Sequence, residues 1–113
     1  MSVTVIPGEE FKRQFKRLAK KYKSLVGDMR EMQKEIIADP LLGTDLGGNT
    51  HKVRMAIASK GKGKSGGARI ITYVVTKEGD TTTVRLLTIY DKSEIANVSD
   101  KYIQAIIQQE TGR

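Results

Sequence analysis

The apolar residues of this chain change their spacing once, and that change limits the fold more than any other feature. From Phe11 they recur at Phe15, Leu18, Tyr22, Leu25, Met29, Met32 and Ile36, in alternating steps of four and three that mark one face of a helix. From Lys52 onward the step is two. Lys52-Val53-Arg54-Met55-Ala56-Ile57-Ala58 alternates basic or small residues with apolar ones, and 68–76 and 82–90 are β-branched and aromatic runs. The first half is therefore expected to be helical and the second half a sheet.

Local signals divide these halves. Val3-Thr4-Val5-Ile6 reads as a short strand closed by Pro7-Gly8, and Glu9 and Glu10 place negative charge where a helix N-terminus favours it. Ser24, a plausible N-cap, and Gly27 interrupt the helical stripe. Two helices, roughly 8–22 and 25–38, are expected to fold back as an αα-hairpin whose facing stripes bury each other. The segment ADPLLGTDLGGNT then ends the second helix as a glycine-rich loop. Residues 77–80 form a turn between the last two strands, so 52–58, 68–76 and 82–90 pair as an antiparallel meander. Ser99-Asp100 caps a final helix in which Tyr102, Ile103, Ile106 and Ile107 share a face. The expected fold is α+β in the order β-α-α-β-β-β-α, with an N-terminal αα-hairpin packed on a mainly antiparallel twisted sheet. It forms a single domain over 1–113.

Composition removes several functions. Without cysteine there is neither a disulfide nor a thiolate metal site, and one histidine, His51, cannot hold zinc alone. No metal and no cofactor is expected. No apolar run reaches membrane-spanning length and the start resembles no signal peptide, which points to the cytoplasm.

The formal net charge of +7 favours a polyanionic partner. That charge is concentrated. Residues 52–69 carry six basic side chains and no acid (Lys52, Arg54, Lys60, Lys62, Lys64, Arg69), and helix 1 carries Lys12, Arg13, Lys16, Arg17, Lys20 and Lys21. Gly63-Lys64-Ser65 has the ending of a nucleotide-binding P-loop, but Ala58 stands where the first glycine belongs. The residues after Ser65 lead into a strand, where a phosphate cradle needs a helix.

Alternation along a strand puts Lys52 and Arg54 on one face while Val53, Met55 and Ile57 point into the core. Pairing through the 59–67 loop brings Arg69 alongside, and the end of the third strand adds Tyr90 and Lys92. The register, which decides whether these meet, is not readable from sequence. Together they would bind a phosphate and stack a base. The plainer reading is that lysines in KGKGKSGG and along helix 1 are solvated surface, and that basic strand residues guard an edge. Arg69 fits that reading poorly, because it opens an otherwise apolar strand. His51, on the other face from Lys52, is read as structural.

The segments FKRQFKRLAKKYKSL, HKVRMAIASKGKGKSGGARIITYVV and RLLTIYDKSEIANVS, in this order and spacing, resemble the RelE/ParE superfamily of bacterial toxins, most closely its RelE/HigB-like branch. The resemblance implies a ribosome-dependent endonuclease that cuts mRNA without a metal, by attack of the RNA's own 2′-hydroxyl, and that a cognate antitoxin holds inactive. Its partners would be that antitoxin, the ribosome and mRNA. Carried over by motif, Arg69 is the main phosphate clamp, Arg54 and Lys52 stabilise charge or act as base, Lys92 is acid or second clamp, and Tyr90 stacks a base or shuttles a proton. Lys60, Lys62, Lys64, Ser65, Lys12, Arg13, Lys16, Arg17 and Lys20 are expected to meet RNA or the ribosome. Which group is base and which acid stays open. Two other readings remain: a ParE-like inhibitor of DNA gyrase, which needs none of these residues, and an RNA-binding module without chemistry.

Overall fold

In the computed structural model, which describes residues 2–77 and 79–112, the chain forms a five-stranded mixed sheet with helices on both faces. In chain order the elements are β1 (Ser2–Pro7), α1 (Glu9–Lys21), α2 (Leu25–Ala38), β2 (Thr44–Gly47), β3 (Thr50–Met55), β4 (Ala68–Lys77), β5 (Thr81–Asp91) and α3 (Asp100–Thr111). A 3-10 turn at Ala58–Lys60 follows β3. The strands lie in the order β1-β5-β4-β3-β2, with β1 parallel to β5 and all other pairs antiparallel.

The expected architecture is present, with three corrections. The segment after α2 is not all loop: Thr44–Gly47 pairs with β3 as an edge strand. Gly48 and Asn49, at φ +58° and +67°, make the turn with two left-handed residues that suits the right-handed twist of a two-stranded ribbon. The strand that was to run to Ala58 stops at Met55, and the chain turns there. Finally, the stripes of α1 and α2 do not bury each other alone. Phe11, Leu18, Leu25, Met29, Met32 and Ile36 share one core with Val53, Met55, Ile70, Val84, Leu86 and Ile89. Of the turn expected at 77–80, Glu78 lies outside the described residues.

The opposite face of the sheet is covered by α3, whose Ile103, Ile106 and Ile107 pack on Ile71, Tyr73, Leu87 and Tyr90. Ser99 caps this helix as expected, its hydroxyl accepting from the Tyr102 amide at 3.1 Å. Ser24 stands at the N-cap of α2, but its hydroxyl makes no cap bond there. It donates to Asp28 and accepts from the Ser59 amide at 2.9 Å, tying the corner between α1 and α2 to the turn after β3. Glu110 of α3 accepts from the Glu9 amide at 3.0 Å, so the last helix also anchors the start of the first.

Candidate functional site

Pairing resolves the register that the sequence left open. Arg54 of β3 lies opposite Arg69 of β4, and Arg69 lies opposite Tyr90 of β5, so the three stand in one row across the sheet. Their neighbours Met55, Ile70 and Ile89 point to the α1–α2 core, so the row belongs to the face that carries α3. Lys52, two residues before Arg54 and opposite Ile71, is on this face as well. A one-residue slip of β4 against either neighbour would have sent Arg69 to the other side.

Arg69 is only 6 % exposed, yet among the described residues no ion pair involves it, Arg54 or Lys52. Its guanidinium donates to backbone carbonyls of the glycine-rich segment, Nη1 to Lys64 at 2.8 Å and to Ala68 at 3.1 Å, and Nη2 to Ser65 at 3.4 Å. Burial and the adjacent Arg54 pull it below the ordinary arginine pKa, offset in part by Tyr90. A buried cation pressed against a like charge is stabilised by an arriving anion. Arg54 is exposed and supplies the accessible guanidinium.

Tyr90 is 3 % exposed, and its hydroxyl donates to Asn97 at 3.3 Å. Burial raises its pKa, against the opposing effect of Arg69. Its ring is packed against α3 and is not an open platform for stacking. Lys92 follows β5; its amide donates to the Gly67 carbonyl at 3.0 Å and its ammonium to the Ala96 carbonyl at 2.8 Å. Lys92 is thus beside the row in backbone, while its side chain secures the loop before α3.

Lys60, expected at RNA, is held inside the protein. Its ammonium donates to Asp91 at 2.8 Å and to Ser93 at 3.0 Å, and stands over the Tyr22 ring at 5.3 Å. Asp91 is fully buried and also accepts from the Tyr22 hydroxyl and from Ser93. Burial alone would raise the Asp91 pKa, but these donors, Lys60 foremost, outweigh it and hold the carboxyl far below the usual range. Sequence reading passed over this cluster. Its one signal was an acid at the end of an apolar strand, where a charge needs partners.

Lys62, Lys64 and Ser65 are exposed on the loop that Arg69 and Lys60 brace from either end. After Ser65 the chain enters β4, so no helix terminus is available for a P-loop cradle. On α1, Lys12 pairs with Glu9, Arg13 with Glu10, and Arg17 and Lys21 with Glu94, whereas Lys16 and Lys20 make no ion pair among the described residues. His51 is buried on the face opposite the row, and its Nδ1 has no hydrogen-bond partner among the described residues.

A two-sided sheet with Arg54 and Arg69 in register on one face, neither in an ion pair among the described residues, beside a lysine-glycine loop, makes this a small α+β protein whose positive charge is concentrated on one side. The family model described as "RelE toxin of RelE / RelB toxin-antitoxin system" matches residues 9–111. The chain belongs to the RelE toxin family and is a toxin of the toxin–antitoxin type, with an antitoxin as its partner. No helix among the described residues is long and apolar enough to cross a membrane.

Proposed function

We propose that this toxin is an endoribonuclease that cuts mRNA on the ribosome and so stops translation, using side chains alone. The observation that carries this reading is the row Arg54–Arg69–Tyr90 with Lys52 beside it, two guanidiniums in register that no carboxylate among the described residues pairs with.

In the reaction, a 2′-oxygen attacks the adjacent phosphorus and loses its proton to a base. The bond to the 5′-oxygen breaks, and that oxygen takes a proton from an acid. The products are a 2′,3′-cyclic phosphate and a 5′-hydroxyl. Negative charge builds on the non-bridging oxygens as the five-coordinate phosphorus forms, and fixed cations lower the barrier most at that stage. Arg54 grips these oxygens directly, and Arg69 supplies positive charge from behind while fixing the loop. Lys52 is the partly exposed group available to carry a proton, and Lys92 and Tyr90 can do so once they leave the Ala96 carbonyl and Asn97. Lys62, Lys64, Ser65, Lys16 and Lys20 follow the RNA backbone, together with the more loosely paired Lys12, Arg13 and Arg17. Lys60 is left out of this set because its ammonium is committed to Asp91.

The test is a reconstituted translation reaction on a defined mRNA, with transcript ends mapped after adding the native protein or Arg54→Ala. Cuts that require ribosomes and carry cyclic phosphate ends support the reading, with Arg54→Ala slower by roughly 10–100-fold, the worth of one charge-assisted hydrogen bond. Intact transcripts under conditions where the protein arrests growth would sink it and turn attention to gyrase supercoiling.

A further inference from the structure

The face of the sheet that carries α3 holds a second cross-strand row, at the far end from Arg69. Ile6 of β1 lies beside Arg85 of β5, and Arg85 lies opposite Tyr73 of β4. Past that row the paired residues Thr83 and Val75, and then Lys77, continue the same face to the end of β4. With Glu110 and Thr111 of α3 these residues bound a cavity of about 410 Å³, within the size range of small-molecule pockets. Tyr73 is four residues along β4 from Arg69, roughly 13 Å, so the cavity is separate from the arginine row.

Two polar side chains of this cavity have hydrogen bonds to spare. Tyr73 is 9 % exposed, yet its hydroxyl bonds to no other group among the described residues. His51 Nδ1 is the one side-chain polar atom there that is sealed from solvent without a partner, so the Tyr73 hydroxyl opens into the cavity its ring lines. Arg85 is the second. Its side chain is 32 % exposed and makes no hydrogen bond among the described residues; its ionic neighbour, Glu110, stands off at 3.5 Å. The Glu110 carboxylate is tied instead to the Glu9 amide at 3.0 Å.

A guanidinium fork beside a phenol, both unsatisfied, calls for an acceptor that takes bonds from both. A carboxylate does this with its two oxygens in one plane. A phosphate dianion suits the place less, because Glu110 sets a negative charge next to Arg85 and repulsion grows with the charge of the guest. The half-buried Ile6 and Val75 give the cavity aliphatic surface, and Lys77, in no ion pair among the described residues, adds positive charge at its rim. We propose that the cavity between the end of α3 and strands β1, β5 and β4 binds a small carboxylic acid with an apolar body, its carboxylate on Arg85 and Tyr73 and its body on Ile6 and Val75.

This site goes beyond the RNA-cutting reading and stands or falls apart from it. Methyl resonances of the isotope-labelled full chain are followed by NMR on adding benzoate, its neutral isostere benzamide, or inorganic phosphate. Benzoate should shift the Ile6 and Val75 methyls saturably and bind roughly tenfold tighter than benzamide, about one charge-assisted hydrogen bond. Phosphate should leave these methyls unmoved. Arg85→Gln should bring the benzoate and benzamide affinities together. Tyr73→Phe, which keeps the ring and removes only the hydroxyl, should weaken benzoate several-fold, and it decides the matter even if the loss of Arg85 unfolds the chain. Unmoved Ile6 and Val75 methyls with benzoate, equal affinities for benzoate and benzamide in the native protein, full benzoate affinity in Tyr73→Phe, or phosphate acting as benzoate does would each overturn the assignment.

Discussion

Lys60 and Asp91 form an ion pair at 2.8 Å with almost no contact with water, the lysine side chain 9 % exposed and the carboxylate fully covered. The pair joins the turn after β3 to the end of β5, one residue from Tyr90 and at the foot of the lysine-glycine loop. Removing one partner leaves the other charged and buried. Lys60→Met should therefore cost about 3–5 kcal/mol in denaturant unfolding, whereas Lys62→Ala and Lys64→Ala, on the exposed part of the same loop, should stay within about 0.5 kcal/mol of the native protein. Equal stability for Lys60→Met and Lys62→Ala would refute the pair's role.

The same carboxylate sets an acid limit. Asp91 has a pKa in the folded protein well below its unfolded value of about 3.9. Its contribution is complete above that unfolded value and declines as pH falls towards the folded one. Glu10 and Glu94, also held below their ordinary values, act in the same direction. Stability should be flat near neutral pH and fall steeply below about pH 4, with a shallower fall in Asp91→Asn, as urea midpoints measured from pH 7 to pH 2 will reveal.

Two glycines should respond in opposite ways to the same methyl group. At Gly67 a Cβ would stand 2.1 Å from the Met55 carbonyl oxygen, in backbone that cannot yield without disturbing the β3–β4 pairing. Gly67→Ala should destabilise by about 2 kcal/mol or more. Gly27, inside α2, has nothing within 4 Å of such a Cβ. Gly27→Ala should stabilise by about 0.5 kcal/mol, because alanine loses less backbone entropy than glycine on entering the first turn of the helix. Thermal melts of the two variants decide both points.

Lys16 and Lys20 are the lysines of α1 with no ion pair among the described residues, and they should contribute to RNA affinity through phosphate alone. Replacing both by Ala should weaken binding to single-stranded RNA whatever its sequence. The slope of log affinity against log salt should become shallower by roughly 0.7 for each phosphate no longer neutralised. An unchanged slope in fluorescence anisotropy titrations would remove this face of α1 from the interface.

The elements were legible because each is written locally. The three-four step from Phe11 to Ile36, the two-step from Lys52, and the Ser99-Asp100 cap are all short-range patterns, and all three appear in the fold. The missed edge strand β2 is four residues long, exposed throughout and carries one large apolar side chain, Leu46, so no apolar alternation announced it; only Gly48-Asn49 hinted at a tight turn.

The residue types of the site were also in the sequence, as an acid-free basic segment that ends in Arg69. Their arrangement was not. Whether Arg54, Arg69 and Tyr90 form a row depends on strand register, which moves every side chain to the other face with a shift of one residue. Lys60 and Lys62 look alike in KGKGKSGG, yet one is buried on Asp91 and the other is open to solvent. That difference rests on a hydrogen bond across thirty-one residues of chain. Local spacing, capping and charge were determined by the sequence alone. Which charges became buried partners and which stayed open to solvent was decided by tertiary packing, because burial and pairing belong to groups that only the folded chain brings together.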